Sequence, residues 1–286
     1  MTRRLFLTAA LCLAATPAYA DDVKIDADVV YGHKDGMALT YDVLRPAKQN
    51  GAGVLWIQSG GWYSNWQEPK NFVAAGKQFF DKGFTLFVVR HGSAPKYAVP
   101  DAVADVRRCV RDIRMKAKGF GVDPERLGVF GGSAGGHLSL MIGTTGDDGN
   151  EDARDAVLKT SSRVAAVVSI FPPTDLRGFT TDPPAEIKKV PALKPPLTFD
   201  ARLEAELSPA LKVTPKCPPT LLIHGDKDLL VPIEHSHGMM KALEKEKVTC
   251  KLLTVEGAAH GFSAKQNNEL VQPALMAWFE THLAGK

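Results

Sequence analysis

The chain has 286 residues, 44% of them hydrophobic, and its 35 lysines and arginines nearly balance 32 aspartates and glutamates. This length suits one large α/β domain, and the lack of any basic run argues against a nucleic-acid partner. After residues 1–20, no apolar segment reaches the roughly 20 residues that a membrane span requires.

Residues 1–20 have the layout of a secretory signal peptide. A short basic start precedes an apolar run of 11 residues at 5–15, and small residues stand before a cut at Asp21. The run is shorter than the roughly 20 apolar residues of a membrane anchor, so cleavage is favoured. We therefore expect a mature chain, 21–286, that forms a single domain and is secreted or periplasmic.

Three cysteines follow the expected cut, and an odd number leaves at most one internal disulfide in an exported protein. Cys217 and Cys250 each precede an apolar run typical of a strand. If those strands are parallel neighbours, both thiols lie at the same end of the sheet. A Cys217–Cys250 disulfide is therefore a hypothesis, with the free pair as its alternative. Cys109 lies in a helical pattern and is interpreted as a small core residue.

Strand-like and helix-like segments alternate along the mature chain. Residues 28–31 and 38–44 flank a turn at 33–36 and predict a hairpin. A proline-rich stretch without periodicity, about 173–219, predicts a lid-like insertion over the end of the sheet. Apolar runs predict further strands at 54–57, 84–89, 126–130, 164–171, 220–223 and 251–255, and helical spacing predicts helices from about 71, at 100–116, after 133, at 234–246 and near the C-terminus.

The predicted fold class is α/β, with a mostly parallel central sheet and an antiparallel N-terminal edge. Near-continuous apolar strands separated by amphipathic helices indicate a sheet that is covered on both faces. In such sheets, functional sites form beyond the carboxyl ends of the strands. The loops that follow the predicted strands are therefore the places to search for catalytic residues.

The loop after the strand at 126–130 has the sequence Gly-Gly-Ser-Ala-Gly-Gly and contains Ser133. A serine on a tight strand-to-helix turn needs small neighbours, and this pattern is typical of a nucleophile elbow. The start of the following helix favours developing negative charge near the serine. A glycine-rich turn without chemistry is the alternative, but the flanking strand and helix favour Ser133 as a nucleophile.

Two later loops supply a candidate acid and a candidate base. The acid is Asp228 or Asp226, in His-Gly-Asp-Lys-Asp after a strand; we favour Asp228, because an aspartate directly after glycine is often used in its own turn. Asp175 is a third candidate, in a setting typical of a turn. His260, in Gly-Ala-Ala-His-Gly-Phe, is the candidate base, since histidine suits proton transfer near neutral pH.

The remaining histidines are weaker candidates, because none combines a loop after a strand with the small neighbours of His260. No spacing of histidines, cysteines and acids indicates a metal site, and no dinucleotide fingerprint is present, so we expect no cofactor. The weaker histidines are His33, His91, His137, His224, His235, His237 and His282.

The three motifs around Ser133, Asp228 and His260 resemble those of the α/β-hydrolase superfamily. The likeness is greatest to carboxylesterases of the hormone-sensitive-lipase-like and feruloyl/acetylxylan-esterase-like types. Such enzymes carry His-Gly-Gly-Gly-Trp where this chain has Gln-Ser-Gly-Gly-Trp at 58–62. The resemblance implies an oxyanion hole formed by the N–H groups of Gly60, Gly61 and Ala134. Candidates for lining the substrate pocket, or for plain packing, are Trp62, Tyr63 and Trp66.

Residues and resemblance together predict a serine esterase that acts through an acyl-enzyme. The expected substrate is a small-molecule ester or, from the resemblance alone, an acylated polysaccharide. Amide hydrolysis by the same three residues is one alternative. A binding protein that retains the fold without catalysis is another, and the altered residues Gln58 and Ser59 are its only support.

Overall fold

The computed structural model describes residues 23–285, so the expected signal peptide lies outside the described residues. Within this range, the strands form a single sheet. No helix of the described range is long and apolar enough to cross a membrane. The strands are β1 Val23–Lys34, β2 Met37–Pro46, β3 Gly53–Ile57, β4 Thr85–Val89, β5 Leu127–Gly132, β6 Ala166–Ile170, β7 Thr220–Gly225 and β8 Cys250–Val255.

Helices connect most of the strands, and several are only one turn long. Between β6 and β7, the stretch predicted as a lid-like insertion holds one short helix and four 3-10 turns, at 191–193, 195–197, 201–203 and 209–211. The helices are α1 Asn71–Ala75, α2 Lys77–Asp81, α3 Val99–Lys116, α4 Ala134–Thr145, α5 Ala156–Lys159, α6 Ala185–Lys188, α7 Glu234–Lys245, α8 Ala264–Gln266 and α9 Gln272–His282.

The sheet has the order β1-β2-β4-β3-β5-β6-β7-β8. β1 pairs with β2 and β2 with β4 in antiparallel fashion, and all later pairs are parallel. The predicted α/β class and its antiparallel N-terminal edge are therefore confirmed. Parallel pairing brings the ends of β3, β5, β7 and β8 to the same edge of the sheet, and with them the loops that carry the candidate residues.

Alternate residues of each strand pack on opposite faces of the sheet. Leu55 lies in the core that α3, α4 and α7 cover, while its neighbour Val54 lies in the core beneath α1, α2 and α9. In the second core, the rings of Phe79 and Phe130 stack with their centroids 5.3 Å apart. Buried residues between β6 and β7, such as Phe179 and Leu207, join the first core and fix that segment beside the sheet.

Two expectations need correction. The helix predicted from about residue 71 is broken at Gly76 into α1 and α2, and a Cβ at Gly76 would lie only 2.8 Å from the Phe80 ring. The Cys217–Cys250 disulfide is wrong, because both thiols are free. β7 and β8 are parallel neighbours as expected, but Cys250 pairs with Thr220, while Cys217 lies upstream in a turn where its Sγ accepts the Thr214 N–H at 3.3 Å.

Candidate active site

Ser133 lies on the sharp turn between β5 and α4. Its φ is 53° and its ψ is −119°, a combination that L-residues rarely adopt and that costs on the order of 1–3 kcal/mol. Glycines make the turn possible: a Cβ on Gly131 would lie 2.5 Å from the carbonyl carbon of Gly135, and one on Gly135 would lie 2.6 Å from the Ile57 oxygen. The Ser133 N–H donates to the Ile170 carbonyl at 2.9 Å, which ties the turn to β6.

The structure brings Ser133, His260 and Asp228 into one hydrogen-bonded chain. His260 Nε2 lies 2.9 Å from Ser133 Oγ, and His260 Nδ1 lies 2.7 Å from Asp228 Oδ2. Because a carboxylate only accepts hydrogen bonds, Nδ1 carries the proton of the neutral ring. Nε2 therefore offers its lone pair to the Ser133 hydroxyl, as a general base must.

Asp228 is buried, but its carboxylate accepts several hydrogen bonds from the protein. Its Oδ1 accepts the N–H groups of Leu230 at 3.0 Å and Val231 at 2.9 Å. Burial alone would raise the pKa of Asp228, but hydrogen bonds from His224, His260 and Val231 outweigh it and hold that pKa well below its usual range. The carboxylate is therefore ionised wherever His260 can act as a base.

The competing acids are engaged elsewhere. Asp226 Oδ1 accepts the Gly257 N–H at 2.7 Å and so fixes the loop that carries His260. Asp175 forms an ion pair with Arg177 at 2.6 Å. Among residues 23–285, no cluster of three or more histidine, cysteine or carboxylate side chains has an arrangement that could hold a metal ion.

Sequence reasoning gave too little weight to His224. Its fully buried ring donates from Nε2 to the Val231 carbonyl at 2.8 Å, and the same atom lies 3.4 Å from Asp228 Oδ2. Since Nε2 carries the proton, Nδ1 accepts the Ser236 hydroxyl at 2.7 Å. A polar residue at the end of an apolar strand was the available signal, because such a side chain needs buried partners.

Residues 60–63 form a turn, here called the oxyanion turn, and it differs from the prediction at Gly60. Gly60 and Tyr63 exchange both backbone hydrogen bonds at 3.0 Å, so the Gly60 N–H is already used. The two residues between them, Gly61 and Trp62, have φ of 56° and 59°, as in a type I′ turn. Within residues 23–285, no backbone hydrogen bond uses the N–H of Gly61 or of Ala134, the first residue of α4, so both remain candidates for the oxyanion hole.

A cavity of about 370 Å³ opens beside Ser133. Trp62 lines it, whereas Tyr63 does not, and Trp66 is 58% exposed with its indole N–H directed at Asp28. The Phe171 ring lies 4.7 Å from the His260 imidazole, between centroids. Apart from Ser133 and His260, the lining is apolar: Gly60, Gly61, Trp62, Gly132, Phe171, Pro173, Phe179, Ile187, Val190, Leu193, Leu230 and Val231.

His137 connects this cavity to the segment between β6 and β7. It accepts the Trp62 indole N–H at its Nδ1, 3.2 Å away, and donates from Nε2 to the Leu207 carbonyl at 2.8 Å. Burial lowers the pKa of His137 to about 4, so the ring is neutral and can accept and donate at once. The position of Trp62 is therefore fixed through α4.

Comparison with known proteins agrees with this geometry. Esterase LipC of Mycobacterium tuberculosis is 30% identical over 82% of this chain and 59% of its own length. The acetyl ester-xyloside bifunctional hydrolase of Caldicellulosiruptor lactoaceticus has a TM-score of 0.73 and 26% identity, covering 89% of this chain and 96% of that one. Thermogutta terrifontis esterase 2, in a structure phosphoramylated by tabun, has a TM-score of 0.72 and 25% identity, covering 94% and 99%.

The fold and these relatives define the class: the chain has an α/β-hydrolase fold and is similar to proteins named as esterases. Within that class, the BD-FAE family model matches residues 41–243, and the chain belongs to this family. The chain spans between half and three fifths of the length of the mycobacterial esterases that it matches.

Replacing Gly131 by alanine is expected to destabilise the protein by about 1–3 kcal/mol, because the new methyl group overlaps the backbone of Gly135. Gly238 in α7 provides the matched control, since a Cβ there meets no atom within 4 Å. Gly238→Ala is expected to stabilise the protein by up to about 1 kcal/mol through helix propensity. Urea denaturation measures both, and equal effects of the two changes would contradict the packing argument.

Proposed function

We propose that the protein hydrolyses carboxylic esters through an acyl-enzyme on Ser133. The observation that carries this proposal is the hydrogen-bonded chain from Ser133 through His260 to Asp228, which opens onto an apolar cavity. The names of the relatives, an esterase, an acetyl ester-xyloside hydrolase and an organophosphate-modified esterase, support the same chemistry.

In the proposed mechanism, Ser133 Oγ attacks the ester carbonyl carbon while its proton passes to His260 Nε2. The carbonyl oxygen becomes an oxyanion, which the N–H groups of Gly61 and Ala134 stabilise. The C–O bond to the alcohol then breaks, and His260 returns the proton to the leaving oxygen. Water repeats the sequence on the acyl-enzyme: His260 takes its proton, the acid is released and Ser133 regains its hydrogen. Asp228 stabilises the imidazolium in both halves.

The proposed acyl group is small and apolar. Apart from Ser133 and His260, no polar side chain lines the cavity, so a charged or sugar moiety buried there would lack hydrogen-bond partners. The alcohol half then lies toward the solvent, where a small alcohol or a polysaccharide-linked hydroxyl can be accommodated. Action outside the cytoplasm, on acylated polysaccharide, remains a proposal from the N-terminal residue pattern and the family.

Ser133→Ala is expected to lower the turnover of p-nitrophenyl acetate by at least about 10⁴-fold, because the nucleophile is lost. A fluorophosphonate probe is expected to label the wild-type protein but not this variant, with circular dichroism as the check on folding. Unlabelled wild-type protein would contradict an activated serine. A matched p-nitroanilide that is cleaved faster than the ester would instead assign the site to amide hydrolysis.

Asp228→Asn is expected to lower kcat by about 10⁴-fold, because an amide can donate to His260 and favour the wrong tautomer. Asp226→Asn is the control: its remaining carbonyl oxygen still accepts the Gly257 N–H, so kcat is expected to stay nearly unchanged. Steady-state kinetics on one aryl acetate decides between the two acids. A larger loss in the Asp226 variant would reverse their proposed roles.

Ile187→Ala is expected to shift the preference toward longer acyl chains. A second cavity of about 510 Å³ adjoins the first, and Phe179, Ile187 and Val190 line both. The shared residues form a partition between the two cavities, and truncating Ile187 opens it. The ratio of kcat/KM for an octanoate to kcat/KM for an acetate is therefore expected to rise about 10-fold or more. Leu211→Ala, at a 45% exposed residue of the same segment, is the control. An unchanged ratio in the Ile187 variant would contradict a partition.

A further inference from the structure

Ser59, the residue before the oxyanion turn, is held from two sides. Its carbonyl accepts the N–H of Gly135 at 3.0 Å, in the first turn of the helix that follows the nucleophile. Its hydroxyl oxygen lies 2.8 Å from His91 Nε2, just beyond the end of β4. Ser59 therefore ties the start of the turn both to the nucleophile elbow and to the neighbouring strand.

The direction of the bond between Ser59 and His91 follows from the rest of the ring. His91 Nδ1 lies 2.7 Å from the Gly92 carbonyl, which can only accept, so Nδ1 carries the proton. Burial lowers the pKa of His91 and keeps the ring neutral. Nε2 therefore accepts the Ser59 hydroxyl. Gly92 is itself fixed, because its N–H donates to the Asp105 carboxylate at 2.9 Å.

The turn beyond Ser59 needs such anchoring. Trp62 is a non-glycine residue with a φ of 59°, a conformation that persists only where the surrounding structure enforces it. Inside the turn, the Trp62 indole is held by His137. Just before the turn, the side-chain anchor is the hydrogen bond from Ser59 to His91.

We propose that His91 is a positioning residue for the oxyanion hole. By fixing the Ser59 hydroxyl, it holds the turn that starts at Gly60 and so directs the Gly61 N–H toward the oxygen that becomes negative during catalysis. His91 does not line the cavity beside Ser133, and its side chain acts through Ser59. Its backbone N–H donates to the Ser64 hydroxyl at 3.4 Å, a contact that a side-chain substitution leaves in place. The inference rests on the proposed ester hydrolysis.

The test is a double-mutant cycle on p-nitrophenyl acetate hydrolysis with Ser59→Ala, His91→Leu and the double variant. Loss of an oxyanion donor costs about 10²–10³-fold in rate, so displacing one is expected to lower kcat about 10–100-fold with KM nearly unchanged. The double variant is expected to be no slower than the slower single variant, because both changes break one interaction. His91→Gln is expected to recover most of kcat, since its side-chain carbonyl can accept the Ser59 hydroxyl.

Ser162→Ala is the control, because the Ser162 hydroxyl also holds a loop, accepting the Asp147 N–H at 3.0 Å between α4 and β6. Ser162 is fully buried whereas Ser59 is half-buried, so this control removes a hydroxyl at a less tolerant position. It is expected to leave kcat unchanged. Melting temperatures check that each variant is folded, and if His91→Leu does not fold, Ser59→Ala and His91→Gln carry the test.

The outcomes separate this inference from the proposed function. Active wild-type enzyme with additive losses in the cycle, or with no loss of kcat in Ser59→Ala, would overturn the role of His91 alone. A loss confined to KM would also overturn it, because a misplaced oxyanion donor affects the transition state. Inactive wild-type protein that a fluorophosphonate does not label would overturn the ester hydrolysis on which the inference rests.

Discussion

Around Ser133, the backbones of β3, β5 and α4 approach each other more closely than side chains allow. A Cβ on Gly131 or Gly135 would lie within 2.6 Å of neighbouring backbone atoms. Since neither position carries a side chain, the turn closes and Ser133 takes its unusual backbone conformation with Oγ at the edge of the sheet. Ser133 Oγ is thereby fixed at the centre of the site. His260, the oxyanion turn and the cavity are arranged around it.

The two aspartates after β7 divide the work of holding His260. Asp228 contacts the imidazole itself, and its other oxygen is held by backbone N–H groups of its own loop, so the carboxylate has little freedom to rotate. Asp226 accepts the N–H of Gly257 and shapes the loop on which the imidazole is carried. Asp228 therefore supplies a negative charge to the imidazole, while Asp226 fixes the backbone of the loop that carries it. Because both residues are aspartates in the same loop, the sequence alone makes them close competitors.

The sheet, its antiparallel edge and the loops to search were predictable, because strand burial and helical spacing repeat along the chain. The hydrogen bond from the Gly60 N–H to Tyr63 was not predictable. It depends on positive φ angles at Gly61 and Trp62, which the spacing of residues does not reveal. The disulfide hypothesis had the correct strand pair but lacked the register, which places Thr220 opposite Cys250. The partners of His91 and His137 were also hidden, because they lie far away in sequence.

Three buried histidines lie around the site, and each uses one ring nitrogen as donor and the other as acceptor. His91 and His137 connect segments that are distant in sequence, and His224 connects the end of β7 to the loop and helix that follow it. A protonated ring has two donors, so it would lose the hydrogen bond that it accepts. Burial lowers the pKa of His91, and that of His137 to about 4, which keeps both bridges intact. His260 differs in being 20% exposed and in facing a carboxylate and a hydroxyl. Burial thus keeps His91 and His137 in one protonation state, whereas His260 faces the two groups with which it exchanges a proton in the proposed mechanism.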